Sequence, residues 1–252
     1  MTDFIRTRSI TITGYGEDQV EAYFAGPDPE HDASPRGGLV LIHHMPGFDR
    51  WTKEVARRFA TDGYNVLAPN LYYREAPDAS PDDAAAAARA QGGVPDHRLV
   101  GDVAAAADYL RGMPSSNGKV AVMGHCSGGR QAVLAGCNLT VDAVVDCYGA
   151  WVVGTPPADT PMGKLGVTGF EDDLVNLTAP LLGLFGREDK SPSPEHVELL
   201  DQLLTKHGKP HEFHSYDSAG HAFFAADRPS YRQQAATDAY EKLGRFLTTH
   251  LG

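Results

Sequence analysis

Cys126 lies in the run Lys119-Val-Ala-Val-Met-Gly124-His125-Cys126-Ser127-Gly128-Gly129, where an apolar stretch feeds a G-x-C-x-G-G turn. A nucleophile on a sharp strand-to-helix turn needs small neighbours, because strand and helix must approach closely around it. The start of the following helix supplies unpaired N–H donors and positive potential, which favour a thiolate over a thiol. An unassisted thiol, with a pKa of ~8.5, is mostly protonated at neutral pH, so a partner base is required.

The partners follow in the order nucleophile, acid, histidine. Gly186-Arg-Glu-Asp189 comes after the apolar run 181–185, and Asp217-Ser-Ala-Gly-His221-Ala-Phe223 comes after the strand pattern 212–216. Both fall at the carboxyl ends of strands, where ligand sites of parallel sheets occur. His221 is then the base for the Cys126 thiol, and Asp189 fixes its tautomer and stabilises its cation. Glu188 is the rival carboxylate. The oxyanion donors are the backbone N–H groups of Ser127, just after the nucleophile, and Met45, in the turn His43-His44-Met45-Pro46-Gly47. An inert buried thiol is the competing assignment for any cysteine, and it suits Cys137 and Cys147.

These residues need a scaffold of strands alternating with helices. Residues 9–13 and 20–24 read as an opening antiparallel pair, and 26–38 as a polar surface loop. Strand patterns follow at 39–43, 65–68, 119–123, 141–146, 181–185 and 212–216. Helical patterns lie at 50–61, 82–89, 99–111, 127–137, 194–206 and 231–248. The expected fold is a single α/β domain over 1–252, a mostly parallel sheet with helices on both faces and an antiparallel N-terminal edge. The Gly-, Pro- and Thr-rich segment 149–179 is too long for an ordinary connection, which makes it a candidate partial cover over the site.

The chain has 252 residues and a formal charge of -11. Without a cluster of Lys and Arg to neutralise phosphates, nucleic acid is not an expected partner. No apolar stretch reaches the roughly 18 residues of a spanning helix, so no membrane partner is expected, and no signal-peptide pattern opens the chain. Three cysteines, none at CxxC spacing, suggest free thiols in a reducing cytoplasm. Metal binding by His43, His44 and His125 is disfavoured, because adjacent histidines at a strand end point apart. Nothing in the sequence sets the oligomeric state.

With these motifs in place, the sequence resembles the dienelactone hydrolase (carboxymethylenebutenolidase-like) family of the α/β-hydrolase fold over nearly its whole length. The resemblance is carried by Gly63-Tyr64, Ala68-Pro69-Asn70-Leu71-Tyr72, Val100-Gly101-Asp102-Val103 and Ser116-Asn117-Gly118-Lys119-Val120. The elbow 124–129, Tyr148-Gly149 and Ala219-Gly220-His221-Ala222-Phe223 extend it. It implies a cysteine-dependent hydrolase of small lactones or esters, with no metal or organic cofactor. The family's glutamate near the resting cysteine corresponds here to His44, a candidate modulator. Its carboxylate-binding arginines are also displaced. Ala225 stands four residues after His221, which leaves Arg74, Arg89 and Arg228 as replacements. Phe48, Trp51, Tyr72, Tyr73, Trp151, Phe223 and Phe224 are candidate pocket walls. Two other functions fit the same residues: a secondary-metabolism hydrolase or cyclase with a larger neutral substrate, and a non-catalytic thiol-based ligand or redox module.

Overall fold

The apolar run that follows the first loop alternates strictly between two cores. Val40 and Ile42 pack with Leu67, Val120, Val122, Val144 and Leu181 on one side, while Leu39 and Leu41 pack with Val66, Ala121, Met123, Val145 and Leu182 on the other. A strand that is apolar on both faces must be covered on both, and the computed structural model, which describes residues 4–252, shows how.

Eight strands form one sheet: β1 (Ile5–Thr13), β2 (Gln19–Pro27), β3 (Arg36–Ile42), β4 (Asn65–Pro69), β5 (Ser116–His125), β6 (Ala143–Cys147), β7 (Leu181–Gly186) and β8 (His211–Tyr216). Their spatial order is β1-β2-β4-β3-β5-β6-β7-β8. The β1–β2 and β2–β4 pairs are antiparallel, and all other neighbours are parallel. Helices α1 (Arg50–Thr61) and α7 (Gln233–Leu251) cover one face. Helices α2 (Pro81–Ala90), α3 (Asp96–Arg111), α4 (Ser127–Asn138) and α6 (Pro194–Lys206) cover the other, α5 being the short turn Pro161–Lys164. This is the expected mixed sheet of the α/β-hydrolase fold.

Most strands are longer than the sequence pattern suggests, β6 (Ala143–Cys147 against 141–146) being shorter. β5 begins at Ser116 rather than 119, because its pairing with β3 starts at Arg36↔Ser116, ahead of the apolar residues. β1 runs back to Ile5 across polar residues that a solvent-facing edge strand tolerates. Within the segment 149–179, α5 and a single 3-10 stretch at Glu171–Asn176 interrupt the irregular backbone.

The chain leaves β3 towards β4 on one side and later returns as β5 on the other. A crevice opens at such a reversal, at the carboxyl ends of the strands. Cys126 occupies that point with φ 55° and ψ -122°. The crossing demands glycine: a Cβ on Gly124 would collide with the Gly128 backbone, and one on Gly128 with the Ile42 carbonyl and, at 2.8 Å, with that of His43. Backbone cannot yield as a flexible side-chain tip can. Gly128→Ala should therefore lower unfolding free energy by about 2–3 kcal/mol in urea titration. A loss below about 0.5 kcal/mol would show that the crossing is loose.

Candidate active site

Cys126 reaches its position through the elbow. Its N–H donates to Cys147 O of the neighbouring strand at 2.9 Å, and its carbonyl accepts from Gly129 N–H at 3.0 Å as α4 begins. His221 follows β8 on a loop of small residues, and Asp189 follows β7. His221 Nδ1 lies 2.8 Å from Asp189 Oδ2, while Asp189 Oδ1 accepts from Ser191 N–H at 2.8 Å. The Asp189 side chain is buried, whereas Glu188 points to solvent. Tyr148 packs edge-on against the imidazole, 5.2 Å between centroids, and is itself buried with φ 48°.

Burial alone would push the His221 pKa down. Hydrogen bonds and charge from Asp189 and Cys126 reverse that and raise it to about 10. The Tyr72 hydroxyl pKa also rises, to about 12, with burial as the main cause.

The cavity above the elbow holds about 770 Å³. Cys126, Ser127, Asp189, His221, Met45, Tyr72, Arg89 and Trp151 all border it. Among the described residues, no protein acceptor takes up the Met45 or Ser127 N–H. Trp51, Phe223 and Arg228 lie elsewhere. Trp51 is wedged between His44 and His125, Phe223 is in the core against Tyr148, and Arg228 is exposed. Phe48, Tyr73 and Phe224 are also off the cavity wall, Phe224 stacking on Tyr240. Arg74 is committed to buried Asp102, at 2.7 and 2.9 Å, and to Asp18.

His44 does not border the cavity. Its Nε2 meets Asp49 Oδ2 at 2.7 Å, and Asp49 Oδ1 caps α1 by accepting from Thr52 N–H. Burial would raise the Asp49 pKa, but the bonds from His44 and Thr52 outweigh it and hold it at about 2. His43 bonds to backbone on both ring nitrogens, and His125 sits among Trp51, Tyr148 and Phe224. Among the described residues, no group of three or more His, Cys, Asp or Glu side chains is arranged to hold a metal.

Three features carried no recognised signal in the sequence. Arg130 borders the cavity and ties α4 to the irregular segment, donating to Trp151 O at 3.1 Å and Thr168 O at 2.9 Å. Its i+4 spacing from Cys126 could have revealed it. Residues 160–168 and 92–96 supply much of the wall, but irregular backbone has no periodicity to read. Asp146, at the end of β6, is fully buried against the elbow and accepts from Gly149 N–H at 2.6 Å, and burial pushes its pKa up to about 7.

His221 binds its proton more tightly in the folded protein than the ordinary value of 6.5. The resulting stabilisation is complete below about pH 6.5 and is lost as pH rises through about 10. The stability gap between the unaltered protein and Asp189→Asn should therefore shrink between about pH 7 and pH 10 in urea unfolding. A gap that stays constant over that range would contradict this assignment of charge.

Known proteins repeat this architecture. The family model for "Dienelactone hydrolase family" matches residues 20–251. A Yersinia pestis protein named "Putative carboxymethylenebutenolidase" is 32% identical over 252 residues, covering 99% of this chain and 90% of that one. The "Carboxymethylenebutenolidase" of Pseudomonas putida is 27% identical, covering 96% of each. The solved structure "Putative Dienelactone Hydrolase" from Klebsiella pneumoniae superposes with a TM-score of 0.81 at 25% identity, covering 96% of this chain and 97% of that one. The chain belongs to the dienelactone hydrolase family and is an ester or lactone hydrolase.

Proposed function

We propose that the chain opens lactones or esters through an acyl-thioester on Cys126. The observation that carries this is the Asp189–His221–Cys126 chain bordering one cavity, with the imidazole proton held up to about 10. The Cys126 thiolate adds to the carbonyl carbon, and the new oxyanion accepts from Met45 and Ser127 N–H. The tetrahedral adduct collapses, its C–O bond breaks, and the leaving oxygen takes the proton from His221. Neutral His221 then removes a proton from water as that water adds to the thioester. Collapse releases the carboxylic acid, and Cys126 and His221 return as thiolate and imidazolium. Asp189 stays ionised throughout, fixing the tautomer and the charge.

The segment 149–179 acts as a partial cover, since residues 160–168 border the cavity and Arg130 anchors it. A reducing, cytoplasmic setting belongs to this proposal, because an oxidised Cys126 is no nucleophile. Cys126→Ala should lower kcat/KM on an activated aryl ester by at least about a thousandfold, since oxyanion binding alone then remains. Undiminished turnover by that variant would remove the proposal.

The cavity favours one of the further functions considered for these residues. At about 770 Å³ it is of a size that takes drug-sized ligands. Met45, Val94, Pro95, Met162, Leu165 and Val167 give it apolar walls. A larger, mostly neutral ester or lactone fits it, and exposed Arg89 is left to meet any anionic substituent at the rim. Arg89→Ala should reduce kcat/KM for a carboxylate-bearing lactone by up to about fivefold, the range of an exposed ion pair. A neutral bulky aryl ester should be hydrolysed as before. Equal losses on both substrates would contradict the charge role.

A further inference from the structure

The two proposed oxyanion donors are held in different ways. Ser127 N–H is aimed by α4, whose first turn it begins. Met45 has no helix behind it, since it lies in the turn between β3 and α1. What holds its N–H is the far side of the same peptide unit. The His44 carbonyl oxygen accepts from Gly47 N–H at 2.8 Å, and His43 Nδ1 lies 2.9 Å from it. In a trans peptide the C=O and N–H point in opposite directions. Two donors gripping His44 O therefore turn the Met45 N–H away from themselves, and Met45 borders the cavity with Cys126 and Ser127.

The proton on His43 can be placed from its partners alone. Leu71 N–H lies 3.1 Å from Nε2, and a backbone amide can only donate, so Nε2 is the bare acceptor. The single proton of the neutral ring is then on Nδ1, facing a carbonyl that can only accept. Burial keeps the ring neutral by pushing its pKa down to about 4. Tyr72 packs edge-on against it at 4.6 Å and donates its own hydroxyl to Met45 O at 3.1 Å, bracing the next peptide unit.

We propose that His43 is a positioning residue for hydrolysis: its Nδ1–H, with Leu71 N–H fixing the tautomer, orients and polarises the His44–Met45 peptide so that Met45 N–H meets the developing oxyanion. This rests on the thioester reading of the site. His43 never touches substrate, and its effect is confined to steps that build negative charge on a carbonyl oxygen.

Two amide substitutions separate the halves of the ring. Asn places an N–H where Nδ1 stands and loses the acceptor for Leu71, whereas Gln keeps an acceptor near Nε2 and loses the donor to His44 O. The readouts are burst acylation of Cys126 by p-nitrophenyl acetate and alkylation of Cys126 by iodoacetamide, a displacement that forms no oxyanion. His43→Gln should slow acylation by about 10- to 100-fold, less than outright removal of an oxyanion donor. Alkylation should stay within about twofold, and KM should change little. His43→Asn should recover most of the loss. The proposal is overturned if His43→Gln acylates at the unaltered rate, if His43→Asn is as impaired as His43→Gln, or if alkylation falls in step with acylation. Failure of p-nitrophenyl acetate to place an acetyl group on Cys126 of the unaltered protein, read by mass after acid quench, would instead remove the thioester reading itself.

Discussion

The site depends on one close approach, that of Gly128 to the carbonyls of Ile42 and His43. It brings the first turn of α4 against the end of β3, and the chain can make that crossing only by holding Cys126 at φ 55°. Such a backbone costs roughly 1–3 kcal/mol and persists where its surroundings over-determine it. Here the surroundings are the Cys126 N–H bond to Cys147 O, the glycines at 124 and 128, and the buried Asp146 bonded to Gly149 N–H. The same approach brings the turn after β3 that carries Met45 near Ser127, at the start of α4. The positions of Cys126 and Ser127 thus follow from a single steric constraint, while the grip on His44 O holds the Met45 peptide.

The neighbourhood holds two carboxylate–imidazole contacts that face different ways. Asp189 and His221 face the cavity, and His221 shares its proton environment with Cys126. Asp49 and His44 turn away from the cavity, and Asp49 caps α1. His44, which stands where the resemblance places a glutamate, contacts Asp49 and does not border the cavity. The large apolar cavity agrees with a substrate bound by burial more than by charge.

The sequence made the sheet and the candidate triad legible for different reasons. Leu39–Ile42 alternate between two cores, which marks a doubly covered strand wherever it sits. Cys126, Asp189 and His221 each follow a strand, and their order along the chain with their strand-end placement was what the sequence offered for grouping them. α6 begins at Pro194 as its pattern placed it, whereas α2 opens one residue ahead of the expected 82, at Pro81 after the capping Ser80. Aromatic residues were poor guides to the cavity: Trp51 and Phe223 carry ring faces suited to a substrate, yet they pack against His125 and Tyr148. The walls formed by residues 92–96 and 160–168 were illegible, because irregular segments take their shape from anchors such as Arg130 rather than from any repeat.

The central claim is that an acyl group passes through the Cys126 sulfur. The most direct measurement is the mass of the peptide containing Cys126, taken by acid quench during steady-state turnover of an activated aryl ester. The account predicts an acyl adduct on that residue, forming at least as fast as kcat and decaying when substrate is exhausted. Steady turnover with Cys126 unmodified at every time, or an adduct that persists after the substrate is gone, would contradict it.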